Sequence, residues 1–320
     1  MSSSRVVHCR QLNRDLHGHT DFVDVREAHR ETDVRENIAK KRKEPASGRG
    51  KGIPGFFEEM AKTNIIVPEG VQTDYTSVVV SYSNGIDSTG ALYWALQEFP
   101  REKIYLLYCD TGFEYPENVQ MFYKTAAFLG VKPVLLQHPK GFLGLLMEER
   151  LKWPDMKNRW CTAYLKTGVT DKWIRSNRRM LGTKCLFISG ERRDESRGRA
   201  KLPEIEYHST SLKTKRVADF TCHWFRPCLD YEKGKMFEFG KKLKLEPHFC
   251  YEYLDRCSCM ACMFMSDRHA IENMLRYPDE IEPFVRAEIK LGHTWKNKKG
   301  LAELWDQCRD IDDVEDGIDL

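Results

Sequence analysis

Two groups of residues in this 320-residue chain have the types and spacing to do chemistry. The first is Ser83-Asn84-Gly85-Ile86-Asp87-Ser88, which lies between the apolar run Val78-Val79-Val80 and a second apolar stretch that begins at Ala91. A small-residue turn from a strand into a helix leaves unpaired N–H groups at the positive end of the helix dipole, which favours phosphate or sulfate. The run is neither G-x-x-x-x-G-K nor G-x-G-x-x-G, the two common phosphate cradles. Asn84 stands where a glycine is expected, and asparagine tolerates positive φ better than other non-glycine residues. Read alone, the run also fits an ordinary strand-to-helix turn. The second group is Cys257-Ser258-Cys259-Met260-Ala261-Cys262, which packs three thiols into six positions. Cys259 and Cys262 form a C-x-x-C, a spacing that lets two thiolates reach one metal centre. A closed four-thiolate site needs one more ligand; Cys161 is the best candidate and Cys250 the spare. An iron–sulfur cluster, a zinc ion and a dithiol redox pair all fit these residues.

These groups need a frame. Val78–Val80 reads as a buried strand, and Leu92, Ala95, Leu96 and Phe99 recur at helical steps after it. Lys103–Tyr108 reads as a second strand, followed by a helix with Val119, Phe122, Tyr123 and Ala126 on one face. Val134–Leu136 is expected to be a third strand and Cys185–Ser189 a fourth. Strands alternating with helical patterns imply right-handed crossovers and a doubly wound, mainly parallel α/β sheet. Ligands in such sheets bind beyond the carboxyl ends of the strands. Residues placed there include Asp110 and Gly112, then Gly190 and Arg192. Asp110 suits a ribose hydroxyl or Mg²⁺, Gly112 lets a ligand approach the backbone, and arginine pairs bidentately with oxyanions. A helix start is expected at Pro116. Cys161, just before an expected helix, should have a lowered thiol pKa, and Lys166 falls about one turn further on.

The chain is 41% hydrophobic with a net charge of +3, enough for one substantial core and neutral on the question of nucleic acid. No apolar run approaches a membrane span, and Met1–Arg5 lacks the apolar segment of a signal peptide, so a cytoplasmic location is expected. Eleven cysteines in such a chain point to thiol, metal or redox chemistry. Residues 1–72 read as a charged, flexible extension; its basic run Lys40-Lys41-Arg42-Lys43 fits a solvated surface or a nucleic-acid contact, and Phe56, Phe57 and Met60 could dock a short helix. Residues 73–265 are expected to form one α/β domain, phosphate- or nucleotide-binding, with the cysteine segment. Residues 266–320 form a helical C-terminal appendage with an acidic tail, in which Ile271, Met274, Leu275, Ile281, Phe284, Val285 and Ile289 are packing residues and His269 is a surface histidine.

Taken together, Tyr82–Ser88, Asp110–Glu117, Arg159–Lys166, Gly190–Arg199, Arg226–Tyr231 and Pro247–Cys262 resemble, in order, the phosphoadenosine phosphosulfate (PAPS) reductase family of the PP-loop superfamily. The resemblance implies an adenine nucleotide alpha-hydrolase-like fold. It implies that Ser83, Asn84, Gly85, Asp87, Ser88 and Gly190 cradle phosphate or sulfate, and that Asp110 and Gly112 lie by the nucleotide. Lys166 and Arg192 would contact its anionic end and, with Asp87, make the catalytic set. Sulfonucleotide reductases carry a Glu-Cys-Gly motif on a mobile tail; Cys308 has no following glycine and its surroundings read as a helix end. The loop keeps Asp87 and Ser88, as ATP-cleaving members do. The closer similarity is therefore to sulfur-transfer members such as the DNA-phosphorothioation component with a cysteine-bound 4Fe–4S cluster. That implies ATP and Mg²⁺ as cofactors, cleavage to AMP and pyrophosphate, and Cys161, Cys257, Cys259 and Cys262 as iron–sulfur ligands, with zinc as the alternative. A cysteine desulfurase as sulfur donor, a DNA-modification or ParB-like partner, and an oligomer are compatible with it. A PAPS or adenylyl sulfate reductase, and a non-catalytic nucleotide-binding regulator, are the other readings.

Overall fold

The computed structural model describes residues 74–211, 220–297 and 299–316. The expectations for residues 1–72, the basic run and Phe56, Phe57 and Met60 included, lie outside the described residues.

Strand β1 (Ser77–Tyr82) is the centre. Its three valines are fully buried, Val78 and Val80 against one helical layer and Val79 against the other. That is why the run is continuously apolar and not alternating, as expected of a strand covered on both faces. Each such side chain contributes roughly 1.5–3 kcal/mol of burial. β2 (Ile104–Asp110), β3 (Lys132–Gln137) and β4 (Lys184–Ile188) are the other foreseen strands. Two more were not foreseen: β5 (Ile205–Tyr207) and β6 (Thr221–Phe225). The sheet order is β3-β2-β1-β4-β6-β5, parallel except for the β5–β6 pair. The order reverses between β1 and β4, so the loops leaving these two strands open the crevice where ligands bind in such sheets.

Helix α1 (Ile86–Glu98) follows β1 and is buried nearly all round, wider than the single stripe its sequence suggests. It lies between the sheet and α5 (Lys233–Lys242), with Tyr93 stacked on Phe239 at 4.5 Å. Helix α2 (Asn118–Leu129) begins two residues beyond Pro116. It buries Asn118, Phe122, Ala126 and Leu129, whereas Tyr123, expected on that face, is exposed because the buried stripe follows steps of three and four from Asn118. A short helix α3 (Gly141–Leu145) continues through a wide turn, Leu146–Arg150. The segment called α4 consists of Trp160–Thr162, a wide turn Ala163–Gly168 and Val169–Ser176; its Ile174 packs on the face of the sheet opposite α1.

Helices α6 (Asp267–Arg276), α7 (Pro278–Leu291) and α8 (Leu301–Asp316) form the C-terminal region. Met274, Ile281, Phe284 and Val285 are packing residues as expected, whereas Leu275 and Ile289 face solvent. The three helices share a second core with Phe113, Tyr115, Trp153, Trp160 and the cysteine segment. Phe284 stacks on Phe113 with ring centroids 3.7 Å apart, and Trp295 donates to the Ala261 carbonyl at 2.8 Å. The buried Glu288 carboxylate accepts the backbone N–H groups of Trp295 and Ala302, tying the α7–α8 connection together. Cys308 is not at a helix end: it lies inside α8, buried, with Sγ 3.9 Å from Met274 Sδ.

Among the described residues, no helix is long and apolar enough to cross a membrane.

Candidate functional site

The turn after β1 has the conformation its sequence calls for. Asn84 sits at φ 58°, in the left-handed region, where its short polar side chain is tolerated. Its Nδ2 donates to the Asn118 carbonyl at 2.9 Å, while its buried Oδ1 has no partner. An orphaned buried acceptor of this kind marks a place where a ligand or water is expected. Ser88 Oγ accepts the Ser83 N–H at 3.1 Å and donates to the Gly85 carbonyl at 2.8 Å, closing the turn on itself.

The loop after β4 presses against it. A Cβ on Gly190 would lie 2.1 Å from the Asp87 carbonyl oxygen, so only glycine permits this approach. Beyond it, buried Arg192 donates from Nε to Asp87 Oδ1 at 2.6 Å and from Nη1 to Asp194. Burial raises the Asp87 pKa against the pull of Arg192. One guanidinium thus answers two carboxylates, and phosphate oxygens brought here would need a further cation.

Asp110, at the end of β2, folds its carboxylate into the local turn: Oδ1 accepts the Gly112 N–H at 2.9 Å and Oδ2 accepts from Gln137 at 2.7 Å. Gly112 takes φ +73°, open to glycine without strain. A cavity of about 430 Å³ adjoins these residues, bounded by Glu114, Met260 and Phe284. A larger one of about 590 Å³, by Leu136, His138, Lys172 and Trp173, includes no residue of the turn after β1.

Lys166 does not reach the Asp87–Arg192 pair. Its Nζ lies 3.4 Å from Glu114 Oε1, whose charge pushes the lysine pKa up. The Cys259 thiol lies 3.6 Å from the same Glu114 oxygen. Glu114 is therefore a meeting point that the sequence reading passed over within Asp110–Glu117. Cys161, Cys259 and Cys262 are close enough to sense one another's charge. The Cys161 thiol pKa is raised, contrary to expectation, because burial outweighs the hydrogen bonds at the helix start. The Cys259 thiol is pushed up by burial and by Glu114.

Cys257 turns toward the phosphate turn. Its Sγ is 3.9 Å from the Ser83 carbonyl, and its Cβ lies 3.5 Å from where a Gly85 Cβ would be. Its other neighbours are Cys250 and His248, the ligand atoms of all three lying within 4.8 Å of one another. Cys250 is thus no remote spare, and His248 was missed altogether. The two thiols split: the hydrogen bond from Cys257 draws the Cys250 pKa down to about 6, and Cys257 moves up. Both nitrogens of His248 are occupied. Nδ1 accepts the Cys250 N–H at 3.1 Å, which makes Nε2 the N–H that donates to Asn118 Oδ1 at 2.6 Å. To ligate a metal His248 would have to give up one of these bonds, so in this arrangement it braces Cys250 and Asn118. A buried polar chain therefore runs from Asn84 through Asn118 and His248 to Cys250.

Three solved structures are similar in fold at low identity. PAPS reductase from Candida auris in a phosphate complex is 14% identical with a TM-score of 0.37, covering 55% of this chain and 77% of that one. The tRNA thiolase NcsA from Methanococcus maripaludis, with its 4Fe–4S cluster, is 14% identical with a TM-score of 0.41, covering 74% of this chain and 80% of the other. NH3-dependent NAD synthetase from Campylobacter jejuni, bound to nitrate, is 12% identical with a TM-score of 0.38, covering 68% and 83%. No curated protein matches the sequence. The phosphoadenosine phosphosulfate reductase domain matches residues 77–253, from the first residue of β1 to just past Cys250. Over more than half its length, then, the chain belongs to the phosphoadenosine phosphosulfate reductase domain family.

Proposed function

We propose that this protein is an enzyme that binds ATP at the turn Ser83–Ser88 and cleaves it to AMP and pyrophosphate in a sulfur-transfer reaction of the DNA-phosphorothioation type. The observation that carries the reading is the packing of Cys257 directly on Gly85: the thiols and the anion cradle address one space.

The N–H groups at the start of α1 and the Arg192 guanidinium stabilise the leaving pyrophosphate, as oriented donors do for charge developing in a transition state. Gly190 lets the two loops close on it. Asp87 and Asp194 already draw on Arg192, so Mg²⁺ would supply the balancing cation, and Asp87 and Asp110 are the residues that would hold it. Lys166, neutralised by Glu114, keeps a positive group beside the thiols. Cys161, Cys259 and Cys262 would hold an iron–sulfur cluster, and Cys257, which here neighbours Cys250 and His248, would turn to them as the fourth ligand; buried thiols that resist deprotonation alone lose their protons to a metal. The cluster would supply a site for the sulfur atom, delivered by a donor such as a cysteine desulfurase. Adenylation of an oxygen on a nucleic-acid acceptor would precede its replacement by sulfur.

A sulfonucleotide reductase would need a reactive terminal cysteine, and Cys308 is buried in α8 against Met274. A regulator would bind ATP without releasing pyrophosphate. The test is anaerobic purification, with iron, sulfide and zinc analysis, a visible spectrum and a pyrophosphate-release assay. Wild type is compared with Cys161→Ala, Cys259→Ala and Cys308→Ala. Iron and sulfide lost in the first two variants, with pyrophosphate release retained in the third, are the expected results. Stoichiometric zinc without pyrophosphate release would move the protein to the regulator, and sulfite release from an adenylyl sulfate that is lost in Cys308→Ala at unchanged stability would restore the reductase.

A further inference from the structure

Tyr251 stands between the two halves of the site. The Ile86 N–H, one of the free donors at the start of α1, points to the Tyr251 hydroxyl oxygen at 3.2 Å. A Cβ on Gly85 would lie 3.6 Å from it, so the hydroxyl sits over the phosphate turn itself. Cys257 packs on the same glycine, its Cβ 3.5 Å from the position a Gly85 Cβ would take. The ring is held in place edge-on by Phe237 of α5, centroids 5.4 Å apart. A phenol oxygen that accepts an N–H group has its own proton left to donate, and that donor polarises it.

We propose that Tyr251 couples nucleotide binding to the cysteine segment: its hydroxyl donates to a phosphate oxygen in the turn, and the segment that begins with it packs Cys257 on Gly85 of the same turn. This rests on the nucleotide reading above and adds to it. An anion arriving at Ile86 competes for, and then shares, the contact that seats Tyr251 on the turn. Nucleotide occupancy therefore changes how firmly residues 251–262 are held, and by linkage the state of that segment changes nucleotide affinity equally. The Asn84–Asn118–His248 chain is hydrogen-bonded within the protein and acts as the fixed brace beside this movable contact.

The experiment is hydrogen–deuterium exchange of the purified full-length protein with and without Mg²⁺–ATP, alongside calorimetric ATP titration, for wild type and Tyr251→Phe. In wild type, ATP should slow exchange in peptides covering residues 83–88 and also in those covering 251–262. In Tyr251→Phe, ATP should bind about tenfold more weakly, as for loss of one hydrogen bond to a charged group. The slowing at 83–88 should persist at saturation while that at 251–262 disappears. A purely structural tyrosine would lower the melting temperature without separating the two responses. If wild type binds ATP and 251–262 does not respond, the coupling is wrong and the nucleotide reading stands. An identical response in the variant also overturns the coupling. If wild type binds no ATP, both fall. The wild-type comparison can overturn the coupling even if the variant folds poorly.

Discussion

Replacing Gly190 with alanine sets a methyl group against the backbone of the phosphate turn. Its carbon would lie 2.1 Å from the Asp87 oxygen, 2.4 Å from the Asp87 carbonyl carbon and 2.8 Å from the Ser88 nitrogen. Ordinary contact is about 3.5 Å, so the two loops must part by more than an ångström. The obstacle is backbone on both sides, with no flexible side chain to swing away. Overpacking of this kind costs about 1–3 kcal/mol, and the rigid surroundings place Gly190→Ala at the upper end. A loss of about 3 kcal/mol is tolerable for a domain stable by roughly 5–15 kcal/mol, so the variant should fold. The functional loss should be larger. The separation pulls Arg192 from Asp87, now 2.6 Å apart, and an ångström of misplacement at a reacting group can cost about a hundredfold in rate. Thermal melts and ATP calorimetry, followed by pyrophosphate release, measure the two effects separately. Gly234→Ala is the control: nothing lies within 4 Å of its Cβ, it is exposed near the start of α5, and alanine there should be neutral or stabilising by up to about 1 kcal/mol. Gly190→Ala with wild-type melting and wild-type ATP affinity would refute the close approach and the cradle built on it.

Phe284→Ala should cost about 3–5 kcal/mol by leaving a cavity where the ring now stacks on Phe113, lowering the melting temperature by roughly 10 °C; Ile289→Ala on the exposed face of α7 should change stability by less than about 0.5 kcal/mol. A melt in which Phe284→Ala matches Ile289→Ala would separate the C-terminal helices from the site. Asp267 bonds Lys296, which lowers its pKa below the ordinary 3.8, with Lys299 adding to the effect. The unfolded chain then binds more protons near that pH, so the contribution is present above about 3.8 and lost as pH falls through the lower folded value. Asp267→Asn should melt below wild type at pH 7, by no more than about 1 kcal/mol for so exposed a pair, and level with it near pH 2; an unchanged gap at low pH would contradict the ion pair.

What could be read along the chain was what repeats locally. Val78–Val80 and Val134–Leu136 lie within strands, and the other two expected ranges overrun theirs by one residue, at Lys103 and Ser189; in β1, β2 and β4 burial on both faces imposes an apolar run that needs no partner to be recognised. The turn at Ser83–Ser88, with Asn84 at positive φ, was legible for the same reason: its conformation is written in its own residues. β6 was not, since Thr221-Cys222-His223-Trp224-Phe225 becomes a strand by pairing with β4, and that pairing is nonlocal. The same holds for the site. Gly190 and Arg192 could be placed after a strand, but only the tertiary structure shows Arg192 on Asp87, 105 positions away in sequence. It likewise turned the expected low thiol pKa of Cys161 into a raised one, moved Cys308 from a helix end into a core, and set Glu114 between Lys166 and Cys259. His248, Cys250 and Tyr251 carried no spacing signal of their own; their partners Asn118, Cys257 and Ile86 come from other parts of the chain. Residue type and spacing determine which chemistry is available, because they are local. Which groups meet, and with what charge, depends on burial and on contacts between distant segments that only the folded chain brings together.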